Sequence, residues 1–532
     1  MSTLLLLGDE ALAQGALDAG LSGCYAYPGT PSTEIMQYFQ DSAEAAQRGI
    51  HRQWSANEKS AMEEAIGMSY AGRRALVCMK HVGLNVAADG FVNAAITGCH
   101  GGLLVVAADD PSMHSSQNEQ DSRFYAQFAM VPCLEPANQQ EAYDMAGYGF
   151  GLSEAWEVPV LLRLTTRLAH SRADVRPVPG RAPNPAALPP QRRRFILLPN
   201  IARANYDRLV ARQAEFAAAS DSSPFNRLLP GRDTRLGIIA CGIAFNYLME
   251  AFGSEAACPY PVLKLSQYPL PKRLLGDLMA RCERVLLLEE GAPFIEQMLH
   301  GPLGPVENVR GRLTGDLPRT GELNPAVVAA ALGLPSRPPP PPSPLLRQRP
   351  PRLCDGCPHI YSYKALLEVV AEMGPGRVFG DIGCYTLGAL PPFEAIDSCV
   401  DMGASVGMAK GAADAGLGPA VAVIGDSTFT HSGLTPLLDA IWENSNITVF
   451  ILDNDTTGMT GGQDSVGMGK IEQICLGLGV PRAHVRVIVP LAKNHEENVR
   501  VLRQEILGYT GVSVIIAQRE CIQTLRRKGR AR

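Results

Sequence analysis

The sequence lacks any long apolar run, since its longest stretches, such as residues 102–108 and 285–288, are far shorter than the roughly 20 residues of a membrane helix. Positive charge is not in excess either: 48 Lys and Arg stand against 53 Asp and Glu, a formal net charge of −5. No basic region precedes the apolar residues 3–7, and acidic residues follow them. The sequence therefore predicts no membrane span, no nucleic-acid-binding surface and no secretory signal, and it indicates a cytoplasmic protein.

The composition is that of a globular protein, with 46% hydrophobic and 19% charged residues over 532 positions. This length predicts about three domains at roughly 100–200 residues each. Thirteen cysteines in a chain without a secretory signal are expected to be free thiols, because a reducing compartment prevents disulfides.

Two stretches of unusual composition divide the chain. Residues 335–351 are rich in proline, with five in succession, and predict a semi-rigid spacer; a site for a proline-binding module is the alternative. Residues 172–194 are rich in Pro and Arg and predict a connector. Between these two stretches, apolar strands at 235–240 and 284–289 alternate with helical patterns at 247–252 and 272–281, which indicates a small α/β domain.

The first and last segments share one pattern, in which short apolar strands alternate with Ala- and Gly-rich helices. The clearest of these strands are residues 75–79, 103–107, 420–424 and 447–452. Continuous apolar strands between helices predict parallel sheets covered on both faces. In such sheets ligands bind at the carboxyl ends of the strands, where the candidate site residues should lie.

Two oxygen ligands follow neighbouring strands of the last segment. Asp426 comes directly after one strand, in Gly425-Asp426-Ser427. A helix is predicted from about Ser432 to Glu443, and Asn454 follows the next strand. Because both strand ends should meet at one edge, these residues predict a site for Mg²⁺ shared with phosphates. Upstream, Asp401 to Met408 opens an Ala- and Gly-rich helix whose first amides could bind a phosphate. The alternative for Asp426 is a plain helix N-cap.

The combination of Gly425-Asp426-Ser427, the 28-residue step from Asp426 to Asn454 and the glycine-rich helix start resembles thiamine diphosphate enzymes. Ser427 and Asp453 depart from the commoner residues of that motif. The resemblance implies a carboxylate that contacts the aminopyrimidine ring, and it assigns this role to Glu58, which opens a helical stretch ending near Ala71. The alternative for Glu58 is an acidic residue favoured in a first helical turn.

Longer motifs resemble the indolepyruvate ferredoxin oxidoreductase α subunits over nearly the whole chain. They are residues 27–32 (YPGTPS), 80–86, 109–111, 115–123, 268–271, 289–290 and 459–463. This resemblance implies an α/β fold of two thiamine diphosphate-binding, doubly wound parallel-sheet domains with a transketolase C-terminal-like domain between them. The implied segments are a pyrimidine-binding domain over 1–195, the middle domain over 196–334, the linker over 335–351 and a diphosphate-binding domain over 352–532.

The family oxidatively decarboxylates 2-oxo acids, typically arylpyruvates, to acyl-coenzyme A and passes the electrons to ferredoxin. Its cofactors are thiamine diphosphate, Mg²⁺ and a [4Fe–4S] cluster, with coenzyme A as co-substrate. The implied partners are a β subunit and a ferredoxin, in an assembly based on dimers. Two alternatives stay open: a non-oxidative decarboxylase or carboligase, and a catalytically silent scaffold.

The resemblance also implies roles for individual residues. Thr30, His81 and Arg123 are candidates for contacts with substrate or cofactor; the alternatives are a capping Thr, a loop His with satisfied hydrogen bonds and a structural salt bridge. The carbonyl of Thr456 is the implied third metal ligand. The implied cofactor-binding residues are Asp401, Gly403, Ser405, Gly425, Asp426, Ser427, Asn454 and Met459.

Four cysteines fit the family plan for the [4Fe–4S] cluster: Cys354, Cys357, Cys384 and Cys521. The alternative is a structural CxxC turn and two buried thiols. The other nine, among them Cys78, Cys99, Cys241 and Cys399, are predicted to pack in apolar cores. The family's C-terminal ferredoxin-like domain does not follow Cys521, so the electrons are expected to leave through another subunit or a free ferredoxin. The basic tail 526–532 is either solvated or a docking patch for an acidic electron carrier.

Overall fold

The computed structural model describes residues 3–335, 341–347 and 350–530. The chain divides into two compact units, residues 1–340 and 341–532. Seven residues of the predicted proline-rich linker, 336–340, 348 and 349, lie outside the described residues, as do residues 531 and 532 of the basic tail. Within the described residues, no helix is both long and apolar enough to cross a membrane.

The first unit contains fourteen strands among its described residues. They are β1 (Leu4–Leu7), β2 (Gly23–Ala26), β3 (His51–Trp54), β4 (Ala75–Lys80), β5 (Leu103–Asp109), β6 (Cys133–Leu134), β7 (Val160–Thr165), β8 (Arg172–Val175), β9 (Arg227–Leu229), β10 (Gly237–Cys241), β11 (Val262–Leu265), β12 (Gln267–Tyr268), β13 (Val285–Leu288) and β14 (Val309–Arg310). Its helices are α1 (Gly8–Asp18), α2 (Thr33–Asp41), α3 (Ala43–Gln47), α4 (Glu58–Tyr70), α5 (His81–Thr97), α6 (Arg123–Ala129), α7 (Gln139–Trp156), α8 (Thr166–His170), α9 (Pro199–Ala211), α10 (Gln213–Asp221), α11 (Ala244–Phe252), α12 (Lys272–Arg281), α13 (Phe294–His300) and α14 (Pro325–Ala331).

These strands form two main sheets in one unit. Seven strands have the order β12-β6-β7-β5-β4-β2-β3 and are parallel except for β12. Five strands have the order β14-β13-β10-β11-β9 and are parallel except for β9. Every residue of β4 and β5 is buried, as expected for strands covered by helices on both faces. Because β12 comes from the middle segment and pairs with β6, the middle segment also extends the first sheet.

The second unit is built around one sheet. Its strands are β15 (Val378–Gly380), β16 (Ser398–Cys399), β17 (Ala420–Gly425), β18 (Ile447–Asp453), β19 (Val485–Ile488) and β20 (Val512–Gln518). Its helices are α15 (Pro358–Val370), α16 (Ala404–Asp414), α17 (Asp426–Thr428), α18 (Leu434–Glu443), α19 (Ile471–Leu478), α20 (His495–Ile506) and α21 (Ile522–Arg530).

This sheet is fully parallel, with the order β16-β15-β17-β18-β20-β19. The helix after β17 begins earlier than the predicted start near Ser432: α17 starts at Asp426, and a wider π-helical turn over Phe429–Gly433 joins it to α18. Asp426 therefore stands at the start of a helical segment, directly after the strand. Cys78, Cys99 and Cys241 are buried as predicted, but the packing prediction is wrong for Cys399, which is exposed because β16 is an edge strand.

Candidate active site

Asp426 and Asn454 lie at the same edge of the second sheet. Strands β17 and β18 pair in parallel with Gly425 opposite Leu452, so the residues after each strand emerge side by side. Asp426 follows β17, Asn454 follows β18, and both are buried. The structure thus brings together the two oxygen ligands that the strand ends predicted.

Asp426 has a buried carboxylate oxygen without a partner. Its Oδ2 makes no hydrogen bond to any described residue. Burial, followed by the nearby Asp453 carboxylate, raises the pKa of Asp426 to about 7. A buried carboxylate without a partner costs free energy, and a bound cation would remove that cost. The residues present therefore fit a hard divalent cation such as Mg²⁺.

Asn454 is held by two hydrogen-bond partners. Its Oδ1 accepts from the Thr456 amide at 3.2 Å, and its Nδ2 lies 3.2 Å from Nε2 of His359. His359 is buried near the start of α15, and burial lowers the pKa of its ring to about 4, so the neutral ring can accept from the amide. Sequence reasoning did not select His359, whose only signal is its position two residues after Cys357.

The start of α16 is shaped by a close contact and a buried carboxylate. Gly403 has φ +89°, and a Cβ there would lie 2.5 Å from Cβ of Ser432, so only glycine fits. Ser405 is fully buried and donates from Oγ to Asp381 Oδ2 at 2.6 Å. Burial raises the pKa of Asp381 to about 6. Asp381, which the sequence did not indicate, thus accepts from Ser405, whereas Asp401 is exposed.

The remaining residues predicted to bind the cofactor surround Asp426 and Asn454 in sequence. A Cβ on Gly425 would lie 2.6 Å from the Tyr385 ring, so glycine permits that ring to pack at the strand end. Ser427 Oγ accepts from Thr457 Oγ1 at 2.9 Å and so joins the segments that follow β17 and β18. Met459 is 59% exposed.

The four predicted cluster cysteines line one cavity of about 90 Å³, with His359 and Asn454 in the same wall. Burial raises the pKa of Cys357 to about 11 and that of Cys384 to about 12, and the other thiols of the set add to both shifts. This cavity, here called the four-cysteine cavity, presents four thiols, which is the number of ligands that a [4Fe–4S] cluster requires.

Glu58 lies in the first unit at the start of α4. The side chain of Asn57 accepts from the Ser60 amide at 2.8 Å and caps the helix, which makes Glu58 its first residue. Glu58 is 5% exposed. A Cβ on Gly83 in α5 would lie 2.5 Å from Glu58 Oε1, so the missing side chain at Gly83 leaves room for this carboxyl group.

Thr30 and His81 also lie in the first unit. Thr30 is partly exposed in a turn that other side chains close: Ser32 Oγ donates to the Gly29 carbonyl, and Thr33 Oγ1 accepts from the Gly29 amide. No side-chain cap stands at the start of α2, so the capping alternative for Thr30 is not seen. His81 begins α5, is buried, and has Nε2 3.2 Å from the Asn118 carbonyl.

Arg123 is fully buried in a network of ion pairs. Its guanidinium contacts Asp121 at 2.6 Å and Glu289 at 3.0 Å, and it donates to Tyr268 and to the Ala292 carbonyl. These contacts agree with the alternative interpretation of Arg123, a structural salt bridge. The network, here called the buried charge cluster, comprises Arg123, Arg163, Asp109, Asp121, Glu135 and Glu289.

Two known families match parts of the chain, one in each unit. A family described as pyruvate flavodoxin/ferredoxin oxidoreductase, thiamine diphosphate-binding, matches residues 14–216. A family described as thiamine pyrophosphate enzyme, C-terminal TPP-binding domain, matches residues 381–484, which include Asp426 and Asn454. The fold and these matches define a thiamine diphosphate-binding α/β oxidoreductase chain.

The similarity to curated relatives is more specific. The indolepyruvate oxidoreductase subunit IorA of Archaeoglobus fulgidus is 40% identical over 97% of this chain and 86% of its own length. Those of Methanothermobacter thermautotrophicus and Pyrococcus abyssi are 38% and 37% identical, over 98% and 99% of this chain and 87% of each relative. The chain belongs to this family of indolepyruvate oxidoreductase subunits.

A solved structure is more distant. The 2-oxoglutarate:ferredoxin oxidoreductase from Magnetococcus marinus is 18% identical, with a TM-score of 0.49 over 58% of this chain and 61% of that one.

Proposed function

We propose that this chain is the thiamine diphosphate-binding subunit of a 2-oxo acid:ferredoxin oxidoreductase that acts on arylpyruvates such as indolepyruvate. Its family supports the reaction class. The observation that carries the redox part is the four-cysteine cavity, whose wall includes Asn454 of the candidate metal site. When bound, the thiamine cofactor supplies the carbanion chemistry of decarboxylation, and the iron–sulfur cluster supplies a one-electron acceptor.

In the second unit, Asp426, Asn454 and the Thr456 carbonyl would hold Mg²⁺ and, through it, the diphosphate. The unpartnered Oδ2 of Asp426 supports this assignment. Gly403 and the start of α16 would receive a phosphate oxygen, since a glycine there lets the backbone approach closely. The proposed diphosphate-binding domain spans residues 352–532.

In the first unit, Glu58 would contact the aminopyrimidine ring, in a pyrimidine-binding domain over residues 1–195 followed by the middle domain over 196–334. Its burial supports this role, because a buried carboxyl group can hold a proton on a ring nitrogen. Thr30 and His81 are the proposed contacts with the substrate or cofactor. Arg123 is not proposed as a substrate contact, because its guanidinium already forms ion pairs with Asp121 and Glu289 in the buried charge cluster.

The proposed partners follow from the family. A β subunit would complete the oxidoreductase in an assembly based on dimers, coenzyme A would accept the acyl group, and a ferredoxin or ferredoxin-like subunit would take the electrons.

The first test is the iron and acid-labile sulfide content of the anaerobically purified full-length chain. We expect about four of each per chain. Replacement of Cys354 and Cys357 by Ser should remove both, whereas Cys399→Ser, an exposed cysteine of the same unit, should leave them unchanged.

A second measurement distinguishes a catalytic subunit from a catalytically silent scaffold. With the partner subunit present, Glu58→Gln should abolish 2-oxo acid-dependent reduction of ferredoxin while iron and cofactor are retained. Unchanged turnover would refute the catalytic role of Glu58. A chain that binds thiamine diphosphate but holds no iron would instead indicate non-oxidative decarboxylation.

A further inference from the structure

A second set of possible metal ligands lies in the first unit, apart from the residues assigned above. Asp9 near the start of α1, Glu34 in the first turn of α2 and His170 at the end of α8 each place one ligand atom within 4.8 Å of the other two. Helix α1 packs against both α2 and α8, so the three side chains meet where these helices meet.

Asp9 shows that this cluster is incomplete. It is fully buried, and neither carboxylate oxygen has a hydrogen-bond partner among the described residues. Glu34 Oε2 is also buried, and it forms an ion pair with His170 Nε2 at 3.4 Å. Among the other described acidic side chains, only Asp426, the proposed Mg²⁺ ligand, has a buried carboxylate oxygen without a hydrogen bond.

We propose that Asp9, Glu34 and His170 bind a divalent transition-metal ion that joins α1, α2 and α8. Two ligands of one ion with bonds of 2.0–2.2 Å are about 3–3.5 Å apart, which the separation of 3.4 Å between Glu34 and His170 matches. One imidazole nitrogen with two carboxylates is a donor set for Zn²⁺, Mn²⁺ or Fe²⁺ and disfavours Mg²⁺.

The surroundings of the site indicate a structural ion that can exchange. Asp9 closes the inner side, whereas the side chains of Glu34 and His170 are 36% and 35% exposed and give an ion a route from solvent. Glu34 is four residues after Thr30 and lies in the helix that follows its turn. The ion would therefore fix the start of α2 and, with it, the turn that presents Thr30.

The test compares the metal content of full-length variants after treatment with a chelator, incubation with Mn²⁺ or Zn²⁺ and desalting. The wild-type protein should retain one ion per chain more than Asp9→Asn, and Glu34→Gln and His170→Gln should lose the same ion. Asp41→Asn, an exposed acid at the end of α2, is the matched control and should keep it. Because the proposed Mg²⁺ and iron–sulfur sites are unaltered in every variant, they contribute equally to all the counts.

Thermal unfolding gives a second measurement. Mn²⁺ or Zn²⁺ should raise the midpoint of the wild-type protein and of Asp41→Asn but not that of Asp9→Asn, while Mg²⁺ should have the same effect on all three. Equal metal content in wild type and Asp9→Asn, with midpoints that respond equally to the ions, would overturn the proposal. Asp9 would then be a buried carboxylic acid that holds its own proton.

Discussion

The buried charge cluster of the first unit and the sheet edge of the second unit both keep ionisable groups away from water, but they differ in whether those groups have partners. In the cluster, Arg163 contacts Asp109 and Glu135 at 2.5 Å each and donates to the Glu290 carbonyl at 2.9 Å. At the sheet edge, Asp426 Oδ2 has no partner, and four thiols surround a cavity.

This difference separates structural charges from candidate ligand sites. A buried ion pair whose hydrogen bonds are complete requires no ligand. Removal of one partner destabilises the fold, because the other charge is then buried without compensation. A buried carboxylate without a partner is stable only if it is protonated or if a ligand binds it. The two regions should therefore respond to mutation in opposite ways: the first should lose stability, and the second should lose binding.

The largest expected effect on binding is at Asp426. Asp426→Asn should weaken Mg²⁺-dependent binding of thiamine diphosphate by more than about 100-fold, because loss of a ligand should exceed the 10- to 100-fold cost typical of its supporting residues. Isothermal titration calorimetry with and without Mg²⁺ measures this. The thermal midpoint of the cofactor-free variant should not fall, because the lost oxygen has no partner. Asp439→Asn, at an exposed position of α18, is the control, and equal affinities in all three proteins would contradict the assignment.

The opposite response is expected in the buried charge cluster. Arg163→Met should lower the free energy of unfolding by about 3–5 kcal/mol, because it leaves Asp109 and Glu135 without their cation. Urea unfolding followed by circular dichroism measures the change. Arg235→Met is the matched control, since Arg235 pairs with Asp233 at an exposed position and its loss should have little effect. Similar stabilities for the two variants would show that the cluster is not structural.

His359 connects the four-cysteine cavity with Asn454, and its removal should have an intermediate effect. His359→Phe keeps a ring but loses the acceptor for Asn454 Nδ2, so the affinity for Mg²⁺ should fall by about 10–100-fold. Binding of Mg²⁺ together with thiamine diphosphate measures this, and the iron content should stay unchanged.

A conservative variant and a control sharpen the interpretation of that result. His359→Gln retains an acceptor and should recover part of the affinity. His495→Phe replaces a partly exposed histidine of the same unit and should behave like wild type. An unaltered affinity in His359→Phe would mean that His359 does not position Asn454.

The sequence predicted the parts of this structure that depend on local patterns. Apolar runs gave β4, β5, β17 and β18 within one or two residues, and the parallel order placed Asp426 beside Asn454. Helix α12 was predicted at its observed bounds, Lys272–Arg281.

The residues that the sequence did not reveal depend on contacts between distant segments. Asp381 accepts a hydrogen bond from Ser405, 24 residues later in the chain, and His359 contacts Asn454, 95 residues later. No periodicity or spacing encodes such contacts. For the same reason the sequence could not decide between the two interpretations of Arg123, whose partner Glu289 is 166 residues away.

The smallest expected effect concerns Glu290, the residue that follows Glu289 of the buried charge cluster in the chain. Both its oxygens accept from the Leu323 amide, and Arg312 lies 3.8 Å away. Burial nevertheless raises the pKa of Glu290 to about 7 from an ordinary value of 4.5, and the Glu322 carboxylate adds to the shift.

Between pH 4.5 and 7 the folded state therefore binds more protons than the unfolded state, so the free energy of unfolding falls as the pH rises through this window and levels off above it. Glu290→Gln keeps an acceptor for the Leu323 amide but cannot titrate. Its free energy of unfolding should therefore fall less steeply with pH than that of wild type, and the two slopes should differ by at most about 1.4 kcal/mol per pH unit. Urea unfolding at pH 5, 6, 7 and 8 compares it with wild type and with the exposed control Glu283→Gln. Parallel curves for all three proteins would mean that Glu290 stays charged throughout, and that Arg312 and the Leu323 amide outweigh its burial.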